Sequence, residues 1–545
     1  MCRLSLERRC AGLLRRSVMK KWVLKPQIVF VLAIAASGFW LFSQAPTQQR
    51  HSTFAPSVPR VWDDEAIATI ELPLADPVGS PKHISSDYYY RIPVRPIYKS
   101  YPVYTPGHEP PGYLESLKQK APEVVWDESG HKPNLRSKEE WIAAGRIVFD
   151  TPIYYTTHRI ASIDDVRNPD WYQTAGVPVA RDGTVPFVRY VIRKKGEVEL
   201  GDFACGFCHT RVMPDGSILE GAQGNFPFEK SKAWLYRSRL ARSEDPNKVD
   251  ADLRHLDHSL FAAPWQKPDP SAQIDNMTTD QLIAAHEAMP AEVTARHRSG
   301  LFDPLQIPDL IGVKDRRYLD HTGLQKHRSI ADLMRYAALN QGADDLASYD
   351  GFVPADFHYS TKRPEPDDPI SVGGRYSDEQ LYALAMYLYA LEPPPNPNKF
   401  DALAQRGKKI FENEGCGTCH TAPLYTNNKL TPAEGFRVPP EARKQVDIAP
   451  FSVGTDPNMT LKTRRGTGYY KVPSLKGVWY RSMFGHSGWC ATLEDWFDPK
   501  RLQENYEPTG FKPYGARSYS VKGHPFGLDL SEEDRRALIA FLKTL

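Results

Sequence analysis

Two short motifs, Cys205-Gly206-Phe207-Cys208-His209 and Cys416-Gly417-Thr418-Cys419-His420, constrain this chain more than anything else in it. A Cys-x-x-Cys-His unit sets two thiols to form thioethers with the vinyl groups of one haem while the adjacent imidazole reaches the iron. Two copies predict two covalently attached c-type haems. Cys205, Cys208, Cys416 and Cys419 are then the attachment points, and His209 and His420 supply one iron ligand each. Other uses of paired cysteines fit less well. A four-cysteine zinc site would have to join two knuckles far apart in the sequence, and a thioredoxin-like dithiol needs a βαβ setting that the flanking residues do not supply. Of the seven cysteines, only Cys2, Cys10 and Cys490 remain, too few for a disulfide framework, and Cys490 reads as a packed thiol.

Covalent haem attachment agrees with export. Lys20, Lys21 and Lys25 precede an apolar run from Ile28 to Phe42, the charged-then-apolar order of an export signal. The run is shorter than the about 20 residues that span a bilayer core, although Trp22 to Leu24 can extend it. Residues 1–45 therefore read as a signal peptide or as an inner-membrane anchor, with Met19 as an alternative start, and the expected location is periplasmic. The net charge is only +3 with Lys and Arg scattered, so no nucleic-acid partner is expected.

Residues 46–125 are rich in Pro and Tyr and read as an extended arm on the surface. Beyond them the chain repeats itself. Gly145-Arg146-Ile147-Val148-Phe149 matches Gly407-Lys408-Lys409-Ile410-Phe411. Pro308, Leu310, Gly312, Val313, Arg316, His321 and Gly323 recur without a gap as Pro473, Leu475, Gly477, Val478, Arg481, His486 and Gly488. A Ser-capped helix opening at Ser377 recurs at Ser531. Three repeated elements in one order imply tandem duplication. The expected fold class is mainly α, with two tandem cytochrome c-type domains at 126–392 and 398–545, a Pro-rich linker at 393–397, long irregular loops, and the arm outside.

The second axial position decides whether a haem relays electrons or binds a substrate. His524 lies seven residues before Ser531, and the matching position before Ser377 is Ile370. The second haem can therefore be held by His420 and His524, while the first lacks that ligand and is open. His486 is an alternative ligand, and His358 and Met213 are the candidates that could close the first haem. His321 shares a repeat position with His486, which suits an inter-haem role.

The two motifs, the repeated Pro-Leu-Gly-Val-Arg-His-Gly element and the terminal helices together resemble the bacterial di-haem cytochrome c peroxidase superfamily, which includes MauG and the latex-cleaving rubber oxygenases. The resemblance runs from about residue 137 to the end. It is most specific over Val472-Pro473-Ser474-Leu475 to His486-Ser487-Gly488 and Ala491-Thr492-Leu493-Glu494. The tail Gly523-His524-Pro525-Phe526-Gly527 looks most like the rubber oxygenases, where a histidine in such a place closes the second haem. Two departures stand out. His321-Thr322-Gly323 occupies the place of the inter-haem Trp of the peroxidases, and Leu333 stands at the position of their distal Gln. Loss of a general acid there slows peroxide cleavage by about 10² to 10⁴-fold. An apolar pocket with Leu333 and Tyr336 would suit dioxygen or a small hydrophobic substrate. The resemblance thus implies a periplasmic di-haem oxidoreductase, oxygenase- or peroxidase-like, with Leu333, Tyr336 and His321 as distal-pocket or inter-haem residues. Its expected partner is an electron-donor or acceptor protein. The alternative is a purely electron-transfer cytochrome with both haems six-coordinate.

Overall fold

Each half opens and closes on a helix, and the two helices of a half pack against each other. The computed structural model describes residues 54–155, 160–296, 299–342, 346–354 and 374–545. Its first helix pair is Lys138–Asp150 with Asp378–Ala390, and its second is Ala402–Asn413 with Glu532–Lys543. The starts follow from capping chemistry. Ser137 and Ser377 form reciprocal capping boxes with Glu140 and Gln380, and the Ser531 hydroxyl accepts from Asp534 N–H at 3.1 Å. The crossings follow from two glycines. A Cβ on Gly145 would fall 1.9 Å from the Ala383 carbonyl oxygen, and one on Gly407 would fall 1.8 Å from that of Ala537. Next to each crossing an aromatic pair closes the interface, Phe149 on Tyr387 and Phe411 on Phe541, both with ring centroids 5.3 Å apart.

The repeated element after each haem motif also folds the same way twice. The Arg316 guanidinium donates to the carbonyls of Asp309 and Ile311, and Arg481 donates to those of Ser474 and Lys476, the equivalent positions. Gly312 and Gly477 turn at φ of 76° and 75°, a left-handed conformation that only glycine adopts without strain. The two elements then exchange backbone bonds. Gln306 N–H donates to the His486 carbonyl at 2.8 Å, and Lys471 N–H donates to the His321 carbonyl at 2.9 Å. Gln306 and Lys471 hold equivalent places two residues before Pro308 and Pro473, so this contact is reciprocal in the manner of a two-fold interface. Residues Thr53–Leu545 accordingly form one compact unit, across which the segment 393–397 runs without regular structure.

Two regions depart from the sequence reading. The Pro/Tyr segment is not an outer arm: Val61, Trp62, Tyr89, Ile97 and Trp126 are at most 1% exposed, and Trp62 stacks on Tyr89 at 4.4 Å. Proline forbids regular secondary structure here, but it does not keep large aromatic side chains out of a core. These rings join Trp141, Phe149 and Leu384 in one apolar cluster. The second region is the stretch between the opening helix and Cys205. Its β-branched and aromatic run makes the strand Thr184–Lys194, which turns at Gly196 into Glu197–Asp202. With Ser100–Tyr104 and Tyr154–Tyr155 these strands form an antiparallel sheet that leads directly into the first haem motif.

Residues 1–45, with Cys2, Cys10 and the export segment, lie outside the described residues, as do His358 and Ile370. Among the described residues no helix is long and apolar enough to cross a membrane.

Candidate functional site

In both motifs the histidine turns back over the cysteines. His209 N–H donates to the Cys205 carbonyl at 3.0 Å, and His420 N–H donates to that of Cys416 at 2.9 Å. The four motif cysteines are free thiols. Each imidazole is then oriented by a carbonyl. His209 Nδ1 donates to Pro308 O at 3.0 Å, and His420 Nδ1 donates to Tyr425 O at 3.1 Å, with the Pro473 carbonyl as a second acceptor. A carbonyl can only accept, so the proton sits on Nδ1 and the Nε2 lone pair is left free, the arrangement metal-bound histidines adopt. The first residue of each repeated element thus lies under the imidazole of its own half. Burial holds both rings neutral, pushing His209 down to about 4 and His420 in the same direction.

His524 is brought to His420. Their ring centroids are 6.3 Å apart, with the planes tilted at 58°. Two imidazoles bound on opposite sides of one metal by bonds of about 2 Å have ring centroids about 6 Å apart. The pair therefore has the separation that a bis-imidazole iron needs. The loop carrying His524 is held from below. His524 has φ of 48°, its N–H donates to Val453 O at 2.6 Å, and the fully buried Arg501 guanidinium donates to the carbonyls of Val521, Gly523 and His524 at 2.6, 2.9 and 2.7 Å. His524 Nδ1 is buried without a hydrogen-bond partner on another residue, and Trp496 and Phe526 flank the ring at 5.5 and 5.3 Å.

His209 looks instead into a cavity of about 70 Å³ walled by Cys208, Thr294, Arg296, His321, Tyr336 and Met459 among others. His321 is the other imidazole in this wall, but its Nε2 donates to the Gln306 carbonyl at 2.6 Å and has no lone pair to offer a metal. Tyr336 lines the cavity together with Asn340. Leu333 does not: it is 2% exposed and packs in the core with Trp141 and Leu381. The helix Ile330–Gly342 carries Leu333, Tyr336 and Asn340 at spacings of three and four on one side, and only Tyr336 and Asn340 reach the cavity wall. Met213 packs with Ala222, Ile311 and Tyr480 away from this wall. His486 stacks on Tyr470 at 4.2 Å, with Nε2 3.1 Å from the Tyr470 hydroxyl, and its ring contacts do not include His420. Cys490 is fully buried beside Trp489 and Phe511, and burial pushes its thiol up to about 12.

Several polar residues at these sites carried no sequence signal. Behind the first cavity, Thr294 donates its hydroxyl to Glu229 at 3.1 Å. Glu229 also accepts from His286 Nδ1 at 2.6 Å. His286 Nε2 lies 3.0 Å from Asp257, and Asp257 pairs with Lys232 at 2.6 Å. All four charged side chains are at most 2% exposed. Burial alone would raise Asp257, but Lys232 and His286 outweigh it and hold the carboxyl down to about 2. Among the described residues no group of three or more His, Cys, Asp or Glu side chains converges as a metal cluster.

No protein-family model and no curated protein matches the sequence. Among solved structures, hydrazine synthase of Kuenenia stuttgartiensis is 17% identical over 45% of this chain and 74% of its own, with a TM-score of 0.26. A MauG-like protein associated with microbial copper homeostasis is 17% identical over 31% of this chain and 56% of its own, with a TM-score of 0.20. Overlaps of this extent do not place the chain in a family.

Proposed function

We propose that this chain is a di-haem c-type cytochrome acting as an oxidoreductase, built from two cytochrome c-type units and located in the periplasm, soluble or tethered through residues 1–45. The observation that carries the reading is the contrast on the free face of the two motif histidines: His524 stands 6.3 Å across from His420, whereas His209 faces a cavity. The donor sets fit haem. Cys205, Cys208 and His209 would hold one group, and Cys416, Cys419, His420 and His524 the other. A bound haem supplies one-electron chemistry at a closed iron and small-molecule binding at an open one. The chain's own part is to fix the ligand tautomers through Pro308, Tyr425 and Pro473, to close the second site with the loop pinned by Arg501, and to shape a cavity beside His209. Tyr336, Thr294 and Arg296 would meet dioxygen, peroxide or a small hydrophobic substrate there. A soluble electron donor or acceptor protein would serve the second haem.

A second reading has one observation in its favour. Met459, 1% exposed, lies in the wall of the first cavity, and a thioether there would make both haems six-coordinate and the protein a pure electron carrier. Absorbance of the oxidised protein separates the two. The first reading predicts a high-spin charge-transfer band from half the haem, unchanged in Met459→Leu. A fully low-spin protein that gains this band in Met459→Leu would establish the second reading. A chain matured with its export machinery that retains no porphyrin on a denaturing gel would contradict both.

A further inference from the structure

Both ring nitrogens of His286 face carboxylate oxygens: Nδ1 lies 2.6 Å from Glu229 and Nε2 lies 3.0 Å from Asp257. A carboxylate oxygen only accepts, so both nitrogens carry protons and the ring is an imidazolium. The buried charges then balance, Glu229 and Asp257 against His286 and Lys232. Burial and Lys232 oppose the charge on His286, but Asp257 and Glu229 outweigh them and raise it above its usual value. Glu229 connects this charge to the first cavity. Its Oε2 faces His286, while its Oε1 accepts from the Thr294 hydroxyl at 3.1 Å and from Ala295 N–H at 2.9 Å. Thr294 stands in the wall beside His209, and Cys208, kept a neutral thiol by burial, is the further titratable group that Glu229 meets on that side. Other polar groups of the wall are less suited to giving up a proton. Arg296 carries a guanidinium, His321 spends its Nε2 proton on the Gln306 carbonyl, and Asp320 accepts from Thr322, Leu324 and Gln325.

We propose that Thr294 is a catalytic proton relay for the first cavity, with the His286 imidazolium as the proton store behind it. The claim rests on the reading of an open haem at His209 and adds the source of a proton for an oxygen atom bound there. The step conserves atoms and charge. A proton leaves His286 Nδ1 for Glu229 Oε2, and the carboxyl turns about its Cγ–Cδ bond to present that hydrogen to Thr294 Oγ1. The Thr294 hydroxyl passes its own hydrogen to the oxygen of a small molecule in the cavity. His286 ends neutral, Glu229 and Thr294 end as they began, the bound oxygen gains one proton, and no electron moves.

The test is stopped-flow absorbance of the oxidised holoprotein mixed with hydrogen peroxide, whose O–O cleavage needs a proton. Thr294→Val removes the hydroxyl and keeps the branched shape, and Glu229 Oε1 retains the Ala295 N–H, whereas Thr294→Ser keeps the hydroxyl. Loss of a positioned acid is expected to slow the reaction about 10²-fold in Thr294→Val, with Thr294→Ser close to the wild-type rate. The wild-type rate is expected to fall as pH rises through the raised His286 value, because only the imidazolium holds the proton, and Thr294→Val to lose that dependence. A readout independent of turnover is the infrared C–O stretch of carbon monoxide on the reduced first haem, which should shift in Thr294→Val and return in Thr294→Ser. A Thr294→Val rate equal to the wild type overturns the relay, whatever the stretch does. So does an unshifted stretch, which would put Thr294 out of reach of the ligand. A slowed Thr294→Val with the wild-type pH profile overturns it as well, since a merely structural role would act in that way. Failure of the open-haem reading would show separately, as wild-type protein that binds no carbon monoxide.

Discussion

His209 and His420 are set up alike and then left in different surroundings. Each follows a Cys-x-x-Cys turn, each gives its Nδ1 proton to a carbonyl, and each half is clamped by a helix pair with a glycine at the crossing. The difference lies in what stands beside each ring. In the second half a pinned loop places His524 there, while in the first half the space opens to a cavity backed by a buried charge network. The comparison teaches that the turn, the oriented imidazole and the helix clamp are the same in both halves, and that the surroundings of the two imidazoles differ.

The sharpest way to break this comparison is to erase the difference. His524→Ala should turn the second haem from low-spin to high-spin, so that the charge-transfer band doubles in intensity. An unchanged spectrum would mean that His524 does not close it. The next largest effect belongs to the first half alone. Lys232→Met leaves Asp257 and Glu229 buried with too little positive charge, which should cost about 3–5 kcal/mol in a denaturant titration. The same network predicts an acid sensitivity. Asp257 is held below its unfolded value of about 3.9, so its contribution is complete above that pH and is lost as pH falls toward 2. Acid titration should therefore disturb absorbance at the first haem before the second. Where the halves are alike, equal costs are expected: Gly145→Ala and Gly407→Ala each press a methyl group into a carbonyl and should each lose at least about 1–3 kcal/mol. The smallest effect is at Arg501. Arg501→Lys keeps the charge but not the three-carbonyl grip, and should release His524 in only a fraction of molecules, seen as a weak high-spin band.

Much of the candidate site was legible because it is written in short motifs and in repetition. His524 was marked twice, by its offset from Ser531 and by the tail Gly523-His524-Pro525-Phe526-Gly527, and the structure sets it beside His420. The helix pairs were readable from a five-residue match whose glycine has a steric reason to be there. Other features were illegible for physical reasons. Tyrosines and prolines in residues 54–126 mark irregular backbone but carry no periodicity, so their burial did not show. Glu229, Lys232, Asp257 and His286 come from three helices and meet only in the fold. Arg501 was one arginine among many until four carbonyls surrounded it. Leu333 was placed beside Tyr336 through the peroxidase resemblance, which does not say which side chains of one helix face reach the cavity and which pack in the core.

The central claim, unequal access to two otherwise matched metals, is tested most directly by titrating the reduced holoprotein with carbon monoxide and counting the ligand bound per chain. The account predicts one carbon monoxide for two haems. Two bound, or none, would contradict it.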